Sequence, residues 1–371
     1  MFNYLIVGCG LSGACCARLL AEQGKRVFIV DKRNHIGGNV YDSYNEYGIL
    51  IHNYGPHIFH TTHKDVWDFL SRFTKWRHYQ HRVLAHVNGK FVPMPINLDT
   101  INMLYGTSYT AFNVNDFYHT VKENCAEVNN AEDMVVTKIG RELYELFFKE
   151  YTIKQWDLSP AVLAKEVTAR IPIRYNRDDR YFTDRYQGIP EHGYTKMVEK
   201  MLGHKNISIL LNTDYKDIKD EIRYENMIYS GPVDYYFDYK HGKLPYRSLK
   251  LEFETYDMER YQTVGTQNYP NDYDFTRITE FKFLTGQQCA KTTVAIEYPA
   301  AEGEPYYPIP QEGNQQLYAR YKKDAAELPT VHFIGRLGQY KYANMDVAVK
   351  DALDLIQDLN LPSDRGSCAA V

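Results

Sequence analysis

Cysteine is scarce in this chain and follows no pattern. The six cysteines, at 9, 15, 16, 125, 289 and 368, include no C-x-x-C pair, so neither a disulfide framework nor a cysteine-based zinc site is expected. That usage predicts a reducing, cytoplasmic setting. An excess of charge is also missing. With 43 basic against 47 acidic residues the formal net charge is -4, which excludes a general field for nucleic acid or an anionic membrane and makes any anion site local. No apolar run approaches the roughly 20 residues that cross a bilayer. The first one, YLIVGCG, is short and has no basic segment before it, so no signal peptide is expected. There is no internal repeat or low-complexity linker, and only the tail PSDRGSCAAV reads as unstructured.

The length of 371 residues predicts two or three domains. Tyrosine is abundant, at 33 residues, which suits packing at strand faces and domain seams, with a minority lining a polar cleft.

The segment FNYLIVGCGLSGACCARLLAEQGKRVFIVDKRN reads as buried strand, glycine turn, amphipathic helix and second buried strand. Gly8, Gly10 and Gly13 form G-x-G-x-x-G at the strand-to-helix turn. They permit a tight turn, the approach of a pyrophosphate to the backbone, and closure of helix on strand. Asp31, 21 residues after Gly10, ends the second strand where an adenosine ribose needs an acceptor. This combination predicts dinucleotide binding and leaves NAD and FAD open. The next segment, RNHIGGNVY, supplies a second glycine turn at Gly37 and Gly38 with Asn39 as a polar arm, a feature familiar from amine-oxidase-like flavoproteins. Far downstream, VHFIGRLGQYKYANMDVAVKDALDLI carries a strand, Gly335 and Arg336, and a helix predicted to start between Asn344 and Asp346, so the two ends of the chain share one domain.

Between them, residues 99–171 show helical spacing, with Ser159 before Pro160 as a cap and first turn. The stretch RIPIRYNRDDRYFTDRYQGIP, with five arginines and three aspartates, reads as a loop and suggests a mobile lid after Arg170. From about 244 to 300, SLKLEFETYDM, TRITEFKFL and KTTVAIEYP alternate and predict antiparallel strands. Four histidines, His52, His57, His60 and His63, fall within twelve residues around YGPHIFH. H-x-x-H on a Gly-Pro turn is poor zinc geometry, and no cysteine or H-E-x-x-H partner completes a site, so no metal is expected.

Taken in order, VGCGLSGA, KRNHIGGN, YGPHIFHT, YTIKQW, RIPIRY, YFTDRYQGIP, HGYTKMVEKML, YSGPVDYYFDY, YRSL, TRITEFK, EYP, PYYPI and GRLGQYKYANMD resemble the bacterial UDP-galactopyranose mutases from the N-terminus to about residue 350. The resemblance implies an α/β fold: a discontinuous Rossmann-like FAD-binding domain (1–80, 191–243 and 312–371), an inserted, mainly helical substrate domain (81–180) and an antiparallel β-sheet domain (181–190 and 244–311). It implies an isomerase that interconverts UDP-galactopyranose and UDP-galactofuranose by attack of reduced flavin N5 on the sugar C1, with no net redox change.

The resemblance also assigns residues. Arg170 and Arg277 would be the paired diphosphate arginines, whose planar forks suit phosphate better than a lysine point charge. Phe147, Phe148, Tyr151, Thr152 and Trp156 would hold the uridine. Tyr181, Asn268, Tyr307 and Tyr342 would approach the phosphates and sugar, with Arg247 near the flavin and sugar and His81 at the sugar. FAD would contact Gly8, Gly10, Ser12, Gly13, Asp31, Lys32, Gly38, Asn39, His57, Ile58, Arg336, Ala343, Asn344, Met345, Asp346, Val347 and Ala348, and His60 would lie near the sugar. Asn344 stands where many relatives carry an acid, His81 where some carry asparagine, and Ser12 where some carry a bulkier residue. NAD(P)H or another reductant would reduce the flavin, and a homodimer follows from the likeness alone. Two rival readings share the cofactor fold: an amine-oxidase-like flavin oxidoreductase and a noncatalytic nucleotide-sugar binding protein.

Overall fold

A computed structural model describes residues 1–169 and 171–360. The cofactor fold is a five-stranded parallel sheet in the spatial order Ile207–Leu210, Val27–Val30, Phe2–Val7, Tyr224–Tyr229, Val331–Phe333. Its central strands are apolar runs because both of their faces are covered. On one face the helices Leu11–Glu22, Tyr194–Leu202 and Met345–Asn360 bury Cys15, Leu20, Met197, Val198, Val349 and Ile356 against Ile6 and Ile29. On the other, Leu5, Val7, Met227 and Tyr229 meet Tyr215, Tyr235, Tyr236 and Phe333, an aromatic layer that absorbs part of the tyrosine excess. Strands from residues 2–30, 207–229 and 331–333 thus form one sheet, as the two strand-to-helix junctions predict.

The second sheet has seven strands, ordered Tyr307–Pro308, Tyr246–Tyr256, Thr292–Ala300, Arg277–Glu280, Thr266–Asn268, Val83–Val87, Lys90–Met94. The last two correct the expected boundaries. Residues 83–94, placed by the sequence in the helical unit, form a hairpin whose first strand pairs parallel with Thr266–Asn268. The buried alternation of Val83, Ala85 and Val87 carries that pairing. Likewise Tyr186–Pro190, expected with this sheet, lies between Phe59–Thr61 and Trp76–Arg77 in a separate three-stranded sheet. Within TRITEFKFL the strand stops at Glu280, and Phe281–Thr285 is a helix. Phe281 and Leu284 bury one side of that turn, while Lys282 folds inward to donate to the carbonyls of Glu259 (2.8 Å), Lys291 (2.9 Å) and Cys289.

The helical unit comprises Leu98–Tyr105, Val114–Val121, Ala131–Tyr144 and Glu150–Trp156 around a core of Ile101, Val114, Val136, Ile139 and Leu143. The continuous helical pattern expected for residues 134–156 is interrupted twice. Gly140 (φ 82°) kinks the third helix, and Glu145–Lys149 widens into a π-helical turn just before Glu150–Trp156. Such widened turns are frequent at functional sites. Ser159 caps the turn Pro160–Val162 by accepting from the Ala161 N–H, as its position before proline predicts.

Candidate active site

A cavity of about 1060 Å³ opens at the C-terminal ends of the parallel strands, the usual place for a ligand in an open α/β sheet. The helix Leu11–Glu22 begins on its wall, so the unpaired N–H groups of its first turn face the space. Ala343, Asn344, Met345 and Ala348 bring the start of Met345–Asn360 to the same wall. The Ser12 hydroxyl donates to the Ala348 carbonyl at 3.2 Å and ties the two helix starts together. Acidic and basic side chains balance around the rest of the lining, so it is these two helix starts that make their wall suit an anion.

The two glycine turns interlock. Gly10 bridges to Gly37, and a Cβ on Gly38, whose φ is +56°, would sit 2.7 Å from the Gly10 Cα. Only bare backbone lets the loops approach so closely and leaves room for a pyrophosphate. One Asp31 oxygen accepts the Cys9 N–H at 2.6 Å and the other the Arg33 N–H at 2.9 Å. Each keeps lone-pair capacity for a ribose hydroxyl.

Of the residues assigned to the cofactor, Gly8, Gly10, Ser12, Asp31, Lys32, Gly38, Asn39, His57, Arg336, Ala343, Asn344, Met345 and Ala348 line the cavity. Gly13, Ile58, Asp346 and Val347 are off its wall. Gly13 is pressed against the Gly8 carbonyl, Ile58 packs with Ile189 and Leu284, and Asp346 accepts from the Val347 N–H.

The histidines separate into different roles. His52 Nδ1 accepts the His57 N–H at 3.0 Å, which leaves the proton of a neutral imidazole on Nε2. Burial lowers its pKa to about 4. His57 beside it is half-buried, with its Nδ1 turned inward. Burial, then His52, Arg336 and Arg277, lower its pKa to about 3, so it faces the cavity as a neutral ring. His60 instead pairs with Asp184 at 2.9 Å and stacks on Phe182 at 3.7 Å. Among the described residues no three His, Cys, Asp or Glu side chains are grouped to hold a metal.

Arg277 stands within electrostatic reach of His57, His81, Tyr151 and Tyr307. Its Nη2 lies 2.8 Å from Glu297 Oε2, and its Nε and Glu297 Oε1 are both buried without a partner among the described residues. Burial opposes the Arg277 charge, but Glu297 outweighs it and the pKa is raised. Asn268 is the cross-strand neighbour of Arg277, and Tyr307 that of Arg247. The Tyr307 and Tyr342 rings are 5.6 Å apart, Tyr342 meets Trp156 edge-on at 6.0 Å, and Arg336 lies 4.8 Å over Tyr307. This cluster joins the cavity to the helix Glu150–Trp156.

His81 is buried and held neutral, its pKa lowered to about 3 by burial, then Arg277 and His60; Nδ1 is 3.1 Å from the Tyr79 hydroxyl. Its carbonyl accepts the Tyr181 N–H at 2.8 Å. Phe147 and Phe148 lie in the helical core and off the cavity wall, and Thr152 is buried on the same run of turns. Arg247 lines the cavity but spends its donors elsewhere: Nε binds the Gln155 carbonyl at 3.0 Å and Nη2 the Lys154 carbonyl at 3.2 Å. Its charge sits on the C-terminal carbonyls of a helix, where a cation is favoured. Arg170 lies outside the described residues.

Two residues that sequence reasoning left unassigned belong here. Glu297, inside the EYP motif, is an acid at a buried position of an apolar strand, a pattern that by itself demands a cationic partner. Arg33 reaches across the cavity rim to Glu304 at 2.6 Å and lies 4.5 Å over the Tyr54 ring; nothing in its local sequence signalled a partner 271 residues away.

Comparison with known proteins agrees with this construction. The UDP-galactopyranose mutase family matches residues 146–342, and the NAD(P)-binding Rossmann-like domain matches residues 6–73. A probable UDP-galactopyranose mutase of Klebsiella pneumoniae is 41% identical over 95% of this chain and 93% of its own. A dTDP-fucopyranose mutase of Escherichia coli is 36% identical over 96% and 98%. The crystal structure of a reduced UDP-galactopyranose mutase superposes with a TM-score of 0.79 over 97% of this chain and 94% of that one, at 17% identity. A cavity built for a dinucleotide, an arginine held by a buried carboxylate beside it, and relatives matching across nearly the whole length lead to one assignment: this chain belongs to the UDP-galactopyranose mutase family.

Proposed function

We propose that this protein is an isomerase interconverting UDP-galactopyranose and UDP-galactofuranose on reduced FAD, with no net redox change. The observation that carries the reading is the pair of Arg277 with Glu297, whose carboxylate abuts Gly55, two residues before the His57 that lines a glycine-walled dinucleotide cavity. FAD fits that cavity: two helix starts and bare glycine backbone suit its pyrophosphate, Asp31 its ribose, and the His57 side of the wall is left for its ring system. When bound and reduced, FAD supplies the nucleophile that displaces UDP from the anomeric carbon.

The protein's own residues bind, orient and balance charge. Arg277, with Arg170 as its proposed partner, grips the departing diphosphate, and its raised pKa keeps it charged throughout. Tyr151, Thr152 and Trp156 hold the uridine end, and Phe147 and Phe148, buried in the helical core, anchor the turn that leads into their helix. Trp156, Tyr342 and Tyr307 form an aromatic wall beside Arg336, with the exposed Tyr342 ring left for a bound substrate to cover. His57 and His81 stay neutral, so the positive charge that holds the diphosphate comes from the arginines alone. Tyr181 and Asn268 complete the proposed sugar and phosphate contacts. Arg247 acts by fixing the helix that carries Trp156.

The three-part division survives in this proposal with the hairpin 83–94 moved to the sheet domain and Tyr186–Pro190 to the three-stranded sheet. NAD(P)H or another reductant, a homodimer and a cytoplasmic setting belong to the same proposal. Unbridged Cys9, Cys15, Cys16, Cys125 and Cys289 support the last, and among the described residues no helix is long and apolar enough to cross a membrane.

The test is redox dependence. Protein reduced with dithionite is expected to convert UDP-galactofuranose to the pyranose, and the same preparation kept oxidised is expected to be inactive. Equal turnover in both states would contradict the reading, and peroxide release with an amine would favour an oxidase. Because the 36% identical relative is named for dTDP-fucopyranose, that sugar belongs in a parallel arm; faster turnover of it would reassign the substrate.

A further inference from the structure

The helix Glu150–Trp156 carries a lysine, Lys154, whose ammonium faces no carboxylate at bonding distance among the described residues. Lys154 Nζ donates to three backbone carbonyls instead: Tyr269 at 2.6 Å, Tyr273 at 2.8 Å and Phe275 at 3.2 Å. An ammonium has three N–H donors and no acceptor, so this cage uses its full capacity. Asp272, Glu150 and Asp274 add longer-range attraction. Half-burial, the larger effect, lowers the pKa to about 8, which still leaves the lysine mostly protonated at neutral pH.

The caged segment leads directly to Arg277. Its aromatic rings pack on one another, Tyr269 with Phe275 at 4.9 Å and Tyr273 with Phe275 at 4.8 Å, which ties the two ends of this strap together. The Tyr269 N–H bonds the Thr276 carbonyl at 2.8 Å, which closes the strap onto the residue before Arg277. Asn271 adds a second tie, donating to the Leu146 carbonyl in the π-helical turn at 3.1 Å. One lysine therefore connects the helix bearing Tyr151, Thr152 and Trp156 to the strand bearing Arg277.

We propose that Lys154 is a positioning residue that fixes the distance between the uracil end of the substrate site and the arginine that grips the diphosphate. A uridine diphosphate has a set span between base and phosphates, so a helix free to slide against the Arg277 strand would meet one end of the ligand only at the expense of the other. The inference rests on the proposed nucleotide-sugar site, and it predicts that losing the cage harms binding more than the reaction itself.

The experiment compares full-length, FAD-loaded wild type with Lys154→Met, Lys154→Gln and Lys154→Arg. Dithionite-reduced kinetics are measured with UDP-galactofuranose, and UDP is titrated against tryptophan fluorescence, which Trp156 on the same helix reports. Lys154→Met is expected to keep FAD, raise KM and the UDP Kd at least tenfold and lower kcat less than threefold. Lys154→Arg, which retains donors and charge, should recover part of the KM. A lower Tm with unchanged KM and UDP Kd would make the cage purely structural and overturn the proposal. Should Lys154→Met fail to hold FAD, Lys154→Gln decides: a threefold or larger rise in the UDP Kd supports the role, and wild-type affinity overturns it. A wild type inactive on UDP-galactofuranose would count against the functional reading alone, because the UDP titration of the variants still tests the clamp.

Discussion

Replacing Arg277 with alanine is expected to leave the protein yellow and folded while lowering kcat about 10²- to 10³-fold, the loss typical of removing one preorganised contact to developing charge. The diphosphate leaves carrying negative charge, and a guanidinium in place beforehand stabilises that charge without reorganising. Preorganisation is visible in the pair with Glu297, whose buried carboxylate fixes one edge of the fork at 2.8 Å. Removing the arginine also leaves Glu297 alone in a buried position, a loss of roughly 3–5 kcal/mol when one member of a buried pair is deleted. The two effects are separable. Arg277→Ala combined with Glu297→Gln should recover Tm without recovering kcat, since the glutamine relieves the isolated charge and supplies no cation. Arg277→Lys should lie between, because a point charge grips two oxygens less well than a fork. Unchanged turnover in Arg277→Ala would remove this residue from the reaction.

The second large effect is expected from one added methyl group. Gly13→Ala places a Cβ 2.1 Å from the Gly8 carbonyl oxygen and 3.2 Å from Ile6 Cγ2. The first contact is with backbone in the turn itself, so no rotamer change relieves it, and the helix Leu11–Glu22 must move off the sheet. Overpacking in a core costs about 1–3 kcal/mol and more where the backbone must shift. Here the shift also displaces the helix start from the cavity wall. The purified variant is expected to carry less than a tenth of the wild-type flavin absorbance and to melt lower. Full FAD occupancy would show that the close approach is not needed for the cofactor.

These expectations indicate what was legible from residues alone. The glycines at 8, 10 and 13 and Asp31 were readable because their spacing mirrors a backbone geometry that few residues can adopt. The helix start near Asn344 was readable from the strand and glycine before it. Ser159 announced its cap through Pro160. What escaped was decided by distant partners. The hairpin 83–94 has ordinary alternation, and only its parallel pairing with Thr266–Asn268, remote in sequence, assigns it to the sheet. Phe281–Thr285 looked like strand because a five-residue run cannot separate the two periods, and burial of Lys282 in a carbonyl cage settled it. Arg247, assigned near the flavin and sugar by resemblance, lines the cavity, and its further bonds to the helix end at Lys154 and Gln155 had no local signal. Lys154 gave no signal, since a lysine on an amphipathic helix is ordinarily solvated.

In the proposed mechanism the bond between the anomeric carbon and the diphosphate breaks while UDP stays in the grip of arginine. Positional isotope exchange tests it directly, using UDP-galactopyranose with ¹⁸O in the bridge between C1 and phosphorus. On the reduced enzyme the label is predicted to scramble into the non-bridging β-phosphate positions at a rate no slower than isomerisation, and to scramble far more slowly in Arg277→Ala. Isomerisation with the label retained wholly in the bridge would show that this bond does not break.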